Sequence, residues 1–532
     1  MEQIFLYDTT LRDGTQSEDI SFSVEDKLRV AQKLDELGVR YIEGGWPGSN
    51  PRDADFFKRV KSLKLSQAKI AAFGSTRRAK NAAKDDPNLQ ALIEAETPVV
   101  TIFGKTWLLH VYSALNISDE ENLELIEDSV EFLVVQGREV VYDAEHFFDG
   151  YKHNREYALK TLRAAQRAGA NTLVLCDTNG GTLTHEIETI VKDVCAEIGG
   201  KIGIHTHNDG DLAVANSLAA IRAGAVQVQG TINGYGERCG NANLCSIIPN
   251  LQLKMGYQCI SASQMTKLTE ISRYISDLAN QPEPAHLPFV GKSAFAHKGG
   301  VHVSAVMKDP TTYEHLAPEL VGNKRRVLVS DLSGRSNVVF KAHELGIELE
   351  GKTTETQRIV DRIKQMEFDG YHYEDADGSL ELLIREQLND WYEFFELGDF
   401  KVIIHKTSDE ADTVSEAIVK VKVGEEVEYT ASDGNGPVNA LDKALRKGLE
   451  KFYPQIKDIM LTDYKVRVLD GQDGTSAKVR VLITTRNAHS SWNTVGVSTN
   501  IIEASWIALV DSVYYYLQKV SARPKFARTE PV

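Results

Sequence analysis

Eight short apolar runs lie between residues 4 and 231, and stretches of helical period separate most of them. The runs are Ile4–Tyr7, Tyr41–Gly44, Ile70–Phe73, Val99–Phe103, Val140–Asp143, Thr172–Cys176, Ile202–His207 and Val226–Gly230. Each is short for a helix and long enough for a buried strand. One helical stretch opens at Ser23, whose hydroxyl can cap the first turn with Asp26 three residues on. Its Leu28, Leu34 and Leu37 fall on or near one face. Others cover Glu120–Val135, Arg155–Ala168, Glu186–Ile198 and Leu212–Ala223. Asn154 and Thr184 suit starts, and Gly137, Gly169 and Gly199 suit stops. Eight strands alternating with helices favour a closed barrel over an open sheet. The expected class is α/β, a TIM (β/α)8 barrel.

Functional groups in such barrels come from the C-terminal strand ends. Here those ends carry Arg12 and Asp13, Glu43, Glu145 and His146, Asp177 and Thr178, and His205 and His207. Glu237, Arg238 and Asn241 lie in the loop after the last strand. A purely structural placement would scatter such residues over both ends. The stretch Tyr7–Gln16 gathers Asp8, Arg12 and Asp13 among four further polar residues, with Gly14 allowing a sharp turn. So many polar groups behind a buried strand are costly unless they work or find partners. A solvated loop holding an Arg12–Asp13 ion pair is the plain alternative. His205 and His207 are two apart, so a strand points both to one face. As neutral ligands they suit a divalent metal, with Asp13 the first candidate to complete the site. Two hydrogen-bonded histidines at a sheet edge are the alternative there.

A chain of 532 residues suggests two or three domains. Pro282, Pro284 and Pro288 mark a linker, Gln281–Pro288, and give a catalytic domain over 1–280. A helical linker subdomain, 281–395, follows. In it, Gly299-Gly300 beside His297 and His302 suits a mobile or tightly turned element. Tyr313 comes next, then helical patterns opening at Ser333–Asn337 and over Thr356–Met366 and Ser379–Leu388. Residues 396–520 read as a smaller α+β domain with a repeated βββα unit. Its strands are Phe400–His405, Ser415–Val423 and Glu426–Ser432, then Ile459–Leu469, Ala477–Thr485 and Ser491–Ser498. Helices Val438–Phe452 and Ile501–Leu517 close the two units. With no His or Asp cluster of its own, this domain reads as a binding or regulatory module more than as a second catalytic site. Its helix-opening loops, Asp433–Pro437 and Val497–Asn500, offer N–H groups to a carboxylate.

The formal net charge of −16 argues against a nucleic-acid partner. Five scattered cysteines, none in a Cys-x-x-Cys pair, suit a reducing compartment. Cys239 is expected to be a small packed residue. Met1-Glu2-Gln3 runs directly into a strand, and no apolar stretch is long enough to span a bilayer. A cytoplasmic location without membrane attachment is the expectation.

Leu11-Arg12-Asp13-Gly14-Thr15-Gln16 resembles a signature of the aldol and Claisen enzymes built on metal-dependent barrels. These are the 2-isopropylmalate, homocitrate and citramalate synthases and the hydroxymethylglutaryl-CoA lyases. His205-Thr206-His207-Asn208-Asp209 resembles their second signature and Gly234–Asn241 a third, in the same order. The linker subdomain and the double repeat resemble those of the isopropylmalate and citramalate synthases, so the resemblance covers nearly the whole chain. It implies a divalent metal ion (Mg²⁺, Mn²⁺ or Zn²⁺) held by Asp13, His205 and His207, with Asn241 a fourth ligand or close neighbour. It implies that Arg12 neutralises charge growing on a keto oxygen and that Thr178 donates to the substrate carboxylate. Acetyl-CoA would be the second reactant, with Glu145 and His302 the candidates for its base and Tyr313 assisting, from the same or a second subunit. A homodimer inhibited by an amino-acid end product would follow. Glu145–Tyr151, Gly44–Pro51 and Lys298–His302 look unlike isopropylmalate synthases. They resemble one branch of the citramalate synthases, whose keto acid is pyruvate and whose end product is isoleucine. An alkylmalate synthase with a longer keto acid is the runner-up. An acyl-CoA lyase fits less well, because the hydroxymethylglutaryl-CoA lyases lack the long C-terminal domain. A non-catalytic binding protein fits less well too, because every expected position is filled.

Overall fold

The computed structural model describes residues 2–283, 285–349, 351–406, 408, 412–469 and 476–521. Pro284 of the expected linker lies outside them. The chain divides into two compact units, Met1–Phe295 with Leu316–Arg325, and Ala296–His315 with Arg326–Val532.

The first unit is a closed barrel of eight parallel strands in chain order. They are β1 (Phe5–Asp8), β2 (Tyr41–Gly45), β3 (Lys69–Ser75), β4 (Val99–Lys105), β5 (Glu139–Glu145), β6 (Thr172–Asp177), β7 (Ile202–Thr206) and β8 (Gln227–Gly230). β8 closes on β1 with Tyr7 opposite Gln229 and Asp8 opposite Gly230. Side chains alternate between the two faces of each strand, so residues two apart share the interior. The interior starts with an apolar layer of Tyr7, Tyr41, Ala71, Val99, Val141, Val174 and Cys176. Two residues further along the strands it turns polar, with Glu43, Thr101, Asp143, His205 and Gln229, all buried. Neighbours of the other parity, such as Leu6, Ile42, Val100, Leu175 and Ile204, join the larger core. That core is shared with the surrounding helices.

The helix opened by Ser23 runs Val24–Leu37 with a reciprocal Ser23–Asp26 capping box, and Gly38 ends it at φ +96°. Asn154 caps Arg155–Arg167 by accepting from Tyr157 N. Pro51–Val60 and Pro87–Glu94 are two further helices, each started by a capping Asn50 or Asp86 and a proline in the first turn.

The second unit contains the helices Gly300–Lys308, Arg335–Glu344, Thr353–Phe368 and Asp377–Gln387. Gly299 and Gly300 do not make the tight turn expected of them. Gly299 caps the helix at φ −69°, and a Cβ on Gly300 would sit 2.8 Å from Gly334 N. Gly300 lets its helix start pack closely against Gly334, which caps the helix Arg335–Glu344. Two antiparallel three-stranded sheets follow, Glu396–His405, Val414–Val423 and Glu426–Gly434, then Met460–Val468, Val479–Arg486 and Ser491–Ser498. Helices Pro437–Leu449 and Ile501–Val520 pack on them. The repeat extends to detail. Leu397-Gly398-Asp399-Phe400-Lys401-Val402 and Leu461-Thr462-Asp463-Tyr464-Lys465-Val466 match in pattern, and each strand shifts register between its Leu and its Asp. Among the described residues no helix is long and apolar enough to cross a membrane.

Candidate active site

The turn after β1 is fastened to the end of β8. The Asp8 carboxylate accepts from Thr10 N at 2.9 Å and Thr10 Oγ1 at 2.8 Å, and Thr10 Oγ1 accepts from Ile232 N at 2.9 Å. Burial raises the Asp8 carboxyl to about 7, with the Thr10 hydrogen bonds opposing it. The turn delivers Arg12 and Asp13 to the barrel mouth. Asp13 Oδ2 lies 3.3 Å from His205 Nε2 and 3.9 Å from His207 Nε2, and it accepts from Asn241 Nδ2 at 2.7 Å. The two Nε2 atoms are 3.2 Å apart. Asp13, His205, His207 and Asn241 are all buried. The first three form a group whose ligand atoms all lie within 4.8 Å of one another, close enough to hold one ion.

Burial would push the Asp13 carboxyl up, but the Arg12 guanidinium and the two histidines outweigh it and hold the carboxyl well below its usual range. Burial, and then His205, push His207 down to about 3. His207 therefore presents a neutral ring. His205 Nδ1 lies 2.8 Å from Gln229 Oε1, so Nδ1 carries a hydrogen and Nε2 faces the cluster. Burial would lower the His205 ring, but Asp13 outweighs it and raises the ring above its usual value. Two buried polar atoms at the site, Asn241 Oδ1 and His207 Nδ1, have no hydrogen-bond partner among the described residues.

Arg12 is held on three sides. Nε donates to Glu43 Oε1 at 2.6 Å, Nη1 is 3.2 Å from Asp13 Oδ1, and the guanidinium carbon lies 3.7 Å above the centre of the Phe73 ring. Glu43 is fully buried and also accepts from the Tyr7 hydroxyl at 2.6 Å. Arg12 spends two of its five N–H donors on these carboxylates, which leaves three for a ligand.

The third motif closes over the same point. Ala242 N donates to Thr206 O and Asn208 N to Gly240 O, so the loop pairs with the end of β7. Gly240 is left-handed at φ +92°, and a Cβ there would lie 2.1 Å from Gly234 O. A Cβ on Gly236 would lie 1.9 Å from Asn241 Oδ1. Arg238 does not face the cluster. It pairs with Asp209 at 2.7 Å and donates to Thr178 O at 2.8 Å, which ties three loops together. Glu237 is exposed. Asp177, expected with the functional set, instead accepts from Thr182 Oγ1 at 2.8 Å and shapes its own loop. Cys239 is exposed and not packed, because it sits at the loop tip between two left-handed residues, Arg238 and Gly240.

At the end of β5, Glu145 pairs with Lys105 of β4, opposite it in register. His146 is left-handed at φ +53°, and its N–H donates to Thr178 Oγ1 at 2.9 Å. The Thr178 hydroxyl hydrogen remains to be donated elsewhere. His302 and Tyr313 belong to the second unit, where their rings stack with centroids 4.2 Å apart. Both are exposed.

Sequence reasoning did not single out Gln229, Asp143, Lys105 and Phe73. The usable signal for Gln229 was Gln227-Val228-Gln229, two amides of one parity in a barrel strand.

Comparison with known proteins follows the same division of the chain. Residues 3–275 match the HMGL-like family, 289–370 match the homocitrate synthase post-HMGL domain-like family, and 374–517 match the LeuA allosteric (dimerisation) domain. An (R)-citramalate synthase of Geobacter sulfurreducens is 60% identical over 519 residues, covering 98% of each chain. One from Aquifex aeolicus is 56% identical, covering 97% of this chain and 98% of its own. The chain belongs to the (R)-citramalate synthase family. A 2-isopropylmalate synthase of Methanocaldococcus jannaschii is similar over 97% of this chain at 32% identity. The (R)-citramalate synthase family is thus matched from the barrel through the paired βββα units, not in the barrel alone.

Proposed function

We propose that this chain condenses acetyl-CoA with pyruvate and water to give (R)-citramalate and free CoA. The observation that carries the reading is end-to-end similarity, 47% to 60% identity over at least 97% of the chain, to five (R)-citramalate synthases. We assign catalysis to residues 1–280, a linker role to 281–395 and regulation to 396–520.

The donor set fits a divalent cation. His205 Nε2 and His207 Nε2 converge on a carboxylate held in its charged form, a donor set that a cation can share. The amide ends of Asn241 cannot be told apart by shape, and exchanging them would turn the unpartnered Oδ1 toward the same point. Asp13, His205, His207 and Asn241 would hold the ion. Bound there, it would polarise the keto carbonyl of pyruvate as a Lewis acid. The set contains no thiolate, which suits Mg²⁺ or Mn²⁺ as well as Zn²⁺.

The chain's own groups do the rest. Arg12 directs its free N–H donors at the oxygen that gains charge as the carbonyl becomes an alkoxide. The Thr178 hydroxyl donates to the pyruvate carboxylate. The acetyl methyl is a weak acid and needs a positioned base. Glu145 is one candidate, paired with Lys105. His302 is the other, with the stacked Tyr313 beside it. The carbanion equivalent then attacks the keto carbon. Water cleaves the thioester, its oxygen bonding to the acyl carbon while the sulfur leaves as CoA.

The two βββα units support a homodimer, since Ile403, Ile404, Ile418, Val427, Tyr429, Val466 and Val468 expose apolar surface on their strands. Isoleucine is the proposed inhibitor. Of the two helix-opening loops, Val497–Asn500 has its donors occupied, because Asn500 Oδ1 accepts from Ile502 N and Glu503 N. The helix at Pro437 has no side-chain cap, so its first turn is the better place for the amino-acid carboxylate. Titrating isoleucine, leucine and valine while following activity and binding tests this part. CoA release from acetyl-CoA with pyruvate, 2-ketobutyrate, 2-ketoisovalerate and 2-ketoglutarate in parallel tests the reaction. Highest kcat/KM with pyruvate is expected. Preference for 2-ketoisovalerate would make the chain an isopropylmalate synthase.

A further inference from the structure

The polar layer of the barrel interior contains a chain of groups that the mechanism leaves without a role. His205 Nδ1–H donates to Gln229 Oε1 at 2.8 Å, and Gln229 Nε2–H donates to Asp143 Oδ1 at 3.0 Å. Gln229 is fully buried, and Asp143 is 4% exposed. No other hydrogen-bond partner of His205 Nδ1 is found among the described residues. The backbone supports the arrangement, because His205 and Gln229 stand opposite each other in the β7–β8 register. β5 brings Asp143 across the barrel interior to the other end of the amide.

We infer that Gln229, oriented by Asp143, is a positioning residue that fixes His205 as the Nδ1–H tautomer so that its Nε2 lone pair stays on the metal centre. The inference rests on the proposed metal site. A neutral imidazole carries one hydrogen on either nitrogen, and the partner of one nitrogen decides what the other can do. A glutamine side chain is itself ambiguous, since its oxygen and nitrogen ends exchange by a half turn. Asp143 removes that ambiguity. Burial raises the Asp143 carboxyl to about 7, and in its charged form it can only accept, so it draws the amide nitrogen to Oδ1 at 3.0 Å and leaves the amide oxygen to His205. The result is direction without charge. Metal-bound histidines often lean on a carboxylate, which also makes the ligand more basic. Here an amide stands between the ring and the carboxylate. Glu43 and Asp13 already place two further carboxylates in this small volume, where a charged group against His205 would add repulsion.

The other groups considered carry less. A cavity of about 950 Å³ lined by Arg335, Phe340, His343 and Lys352 lies in the second unit, with nothing to select its occupant. His146 and Asp149 approach only to 3.4 Å.

The test is Mn²⁺ binding to the chelator-treated full chain, measured from the free Mn²⁺ signal by electron paramagnetic resonance. Gln229→Met removes both amide ends at similar volume. It should raise the Mn²⁺ dissociation constant by about 10–100-fold, the usual loss when such a supporting partner is removed. Saturating Mn²⁺ should restore kcat to within a few-fold. Gln229→Glu keeps the acceptor on His205 Nδ1 and should bind Mn²⁺ within about threefold of wild type, or more tightly, which guards against a fold defect in the first variant. Asp143→Asn can donate as well as accept, so it restores the ambiguity of the amide and should weaken Mn²⁺ binding, by less than Gln229→Met does. Equal Mn²⁺ affinity in wild type and Gln229→Met would overturn the inference. Equal losses in Gln229→Met and Gln229→Glu would overturn it too, since the acceptor would then not matter. Absence of Mn²⁺, Mg²⁺ and Zn²⁺ binding by wild type would instead remove the metal reading beneath it.

Discussion

Replacing Arg12 by lysine keeps the charge and removes the fork. In the structure the guanidinium serves Glu43 through Nε at 2.6 Å and Asp13 through Nη1 at 3.2 Å while lying flat 3.7 Å over Phe73. An ammonium group has one nitrogen, so it cannot hold both carboxylates and also face a substrate oxygen. Losing a donor aimed at a developing oxyanion typically costs about 3–4 kcal/mol, or about 10²–10³ in kcat. A second, smaller loss falls on the fold. Glu43 keeps the Tyr7 hydroxyl but loses a charge-assisted partner, which is worth about 1.5–3 kcal/mol when the acceptor is buried. Arg12→Lys should therefore lower kcat with pyruvate by about 10²–10³ and lower the melting temperature of the first unit by several degrees. Steady-state CoA release at saturating metal, with calorimetry of the same preparation, measures both. A kcat within threefold of wild type would show that the planar fork is not used in the transition state.

Gly236→Ala should displace Asn241, because its Cβ would fall 1.9 Å from Asn241 Oδ1; a metal affinity unchanged within twofold, by titration calorimetry, would mean that Asn241 is not needed at the site. Glu145→Gln and His302→Asn should each lower kcat more than they change the dissociation constant of pyruvate, and a wild-type kcat in either removes that residue from the mechanism. Asp511 gives a pH prediction. Burial raises its carboxyl to about 7, with the Ser379 hydroxyl opposing at 2.7 Å. Since the folded chain then holds a proton that the unfolded chain loses near 3.8, stability falls as pH rises between those values and levels off above about 7. The span corresponds to about 4 kcal/mol. Asp511→Asn keeps an acceptor for Ser379 without the ionisation, so its melting temperature should gain on wild type between pH 5.5 and pH 8, and a constant difference would refute the buried-charge argument.

The barrel was legible because the strands are short, largely apolar runs at regular intervals and several of its helices have caps that can be read locally. Ser23 with Asp26 and Gly38 are examples of such caps. Pro51–Val60 carries only a short apolar face, Phe56, Phe57 and Val60, behind a charged first turn, too little to mark a helix in the sequence. Asp13, His205 and His207 were legible from spacing and strand ends, and the structure brings them within one ion's reach. Asp177 and Arg238 stood at strand ends too, yet they fasten loops. Position along a strand does not reveal whether a polar group will find a partner in its own loop. Gln229 was not singled out for the opposite reason. Its value comes from a partner 24 residues away on the neighbouring strand and another 86 residues away across the barrel. The role of Gly300 also depended on a distant neighbour, Gly334, that local sequence does not supply.

The central claim is that a carbon–carbon bond forms at the Asp13–His205–His207 centre. Nuclear magnetic resonance with [2-¹³C]pyruvate and acetyl-CoA follows that bond directly. The labelled keto carbon should become the tertiary alcohol carbon of citramalate, one for each CoA released. The conversion should stop after chelation and in His207→Ala while the metal-free variant stays folded. Release of CoA with the label still in pyruvate would mean thioester hydrolysis alone and would contradict the account.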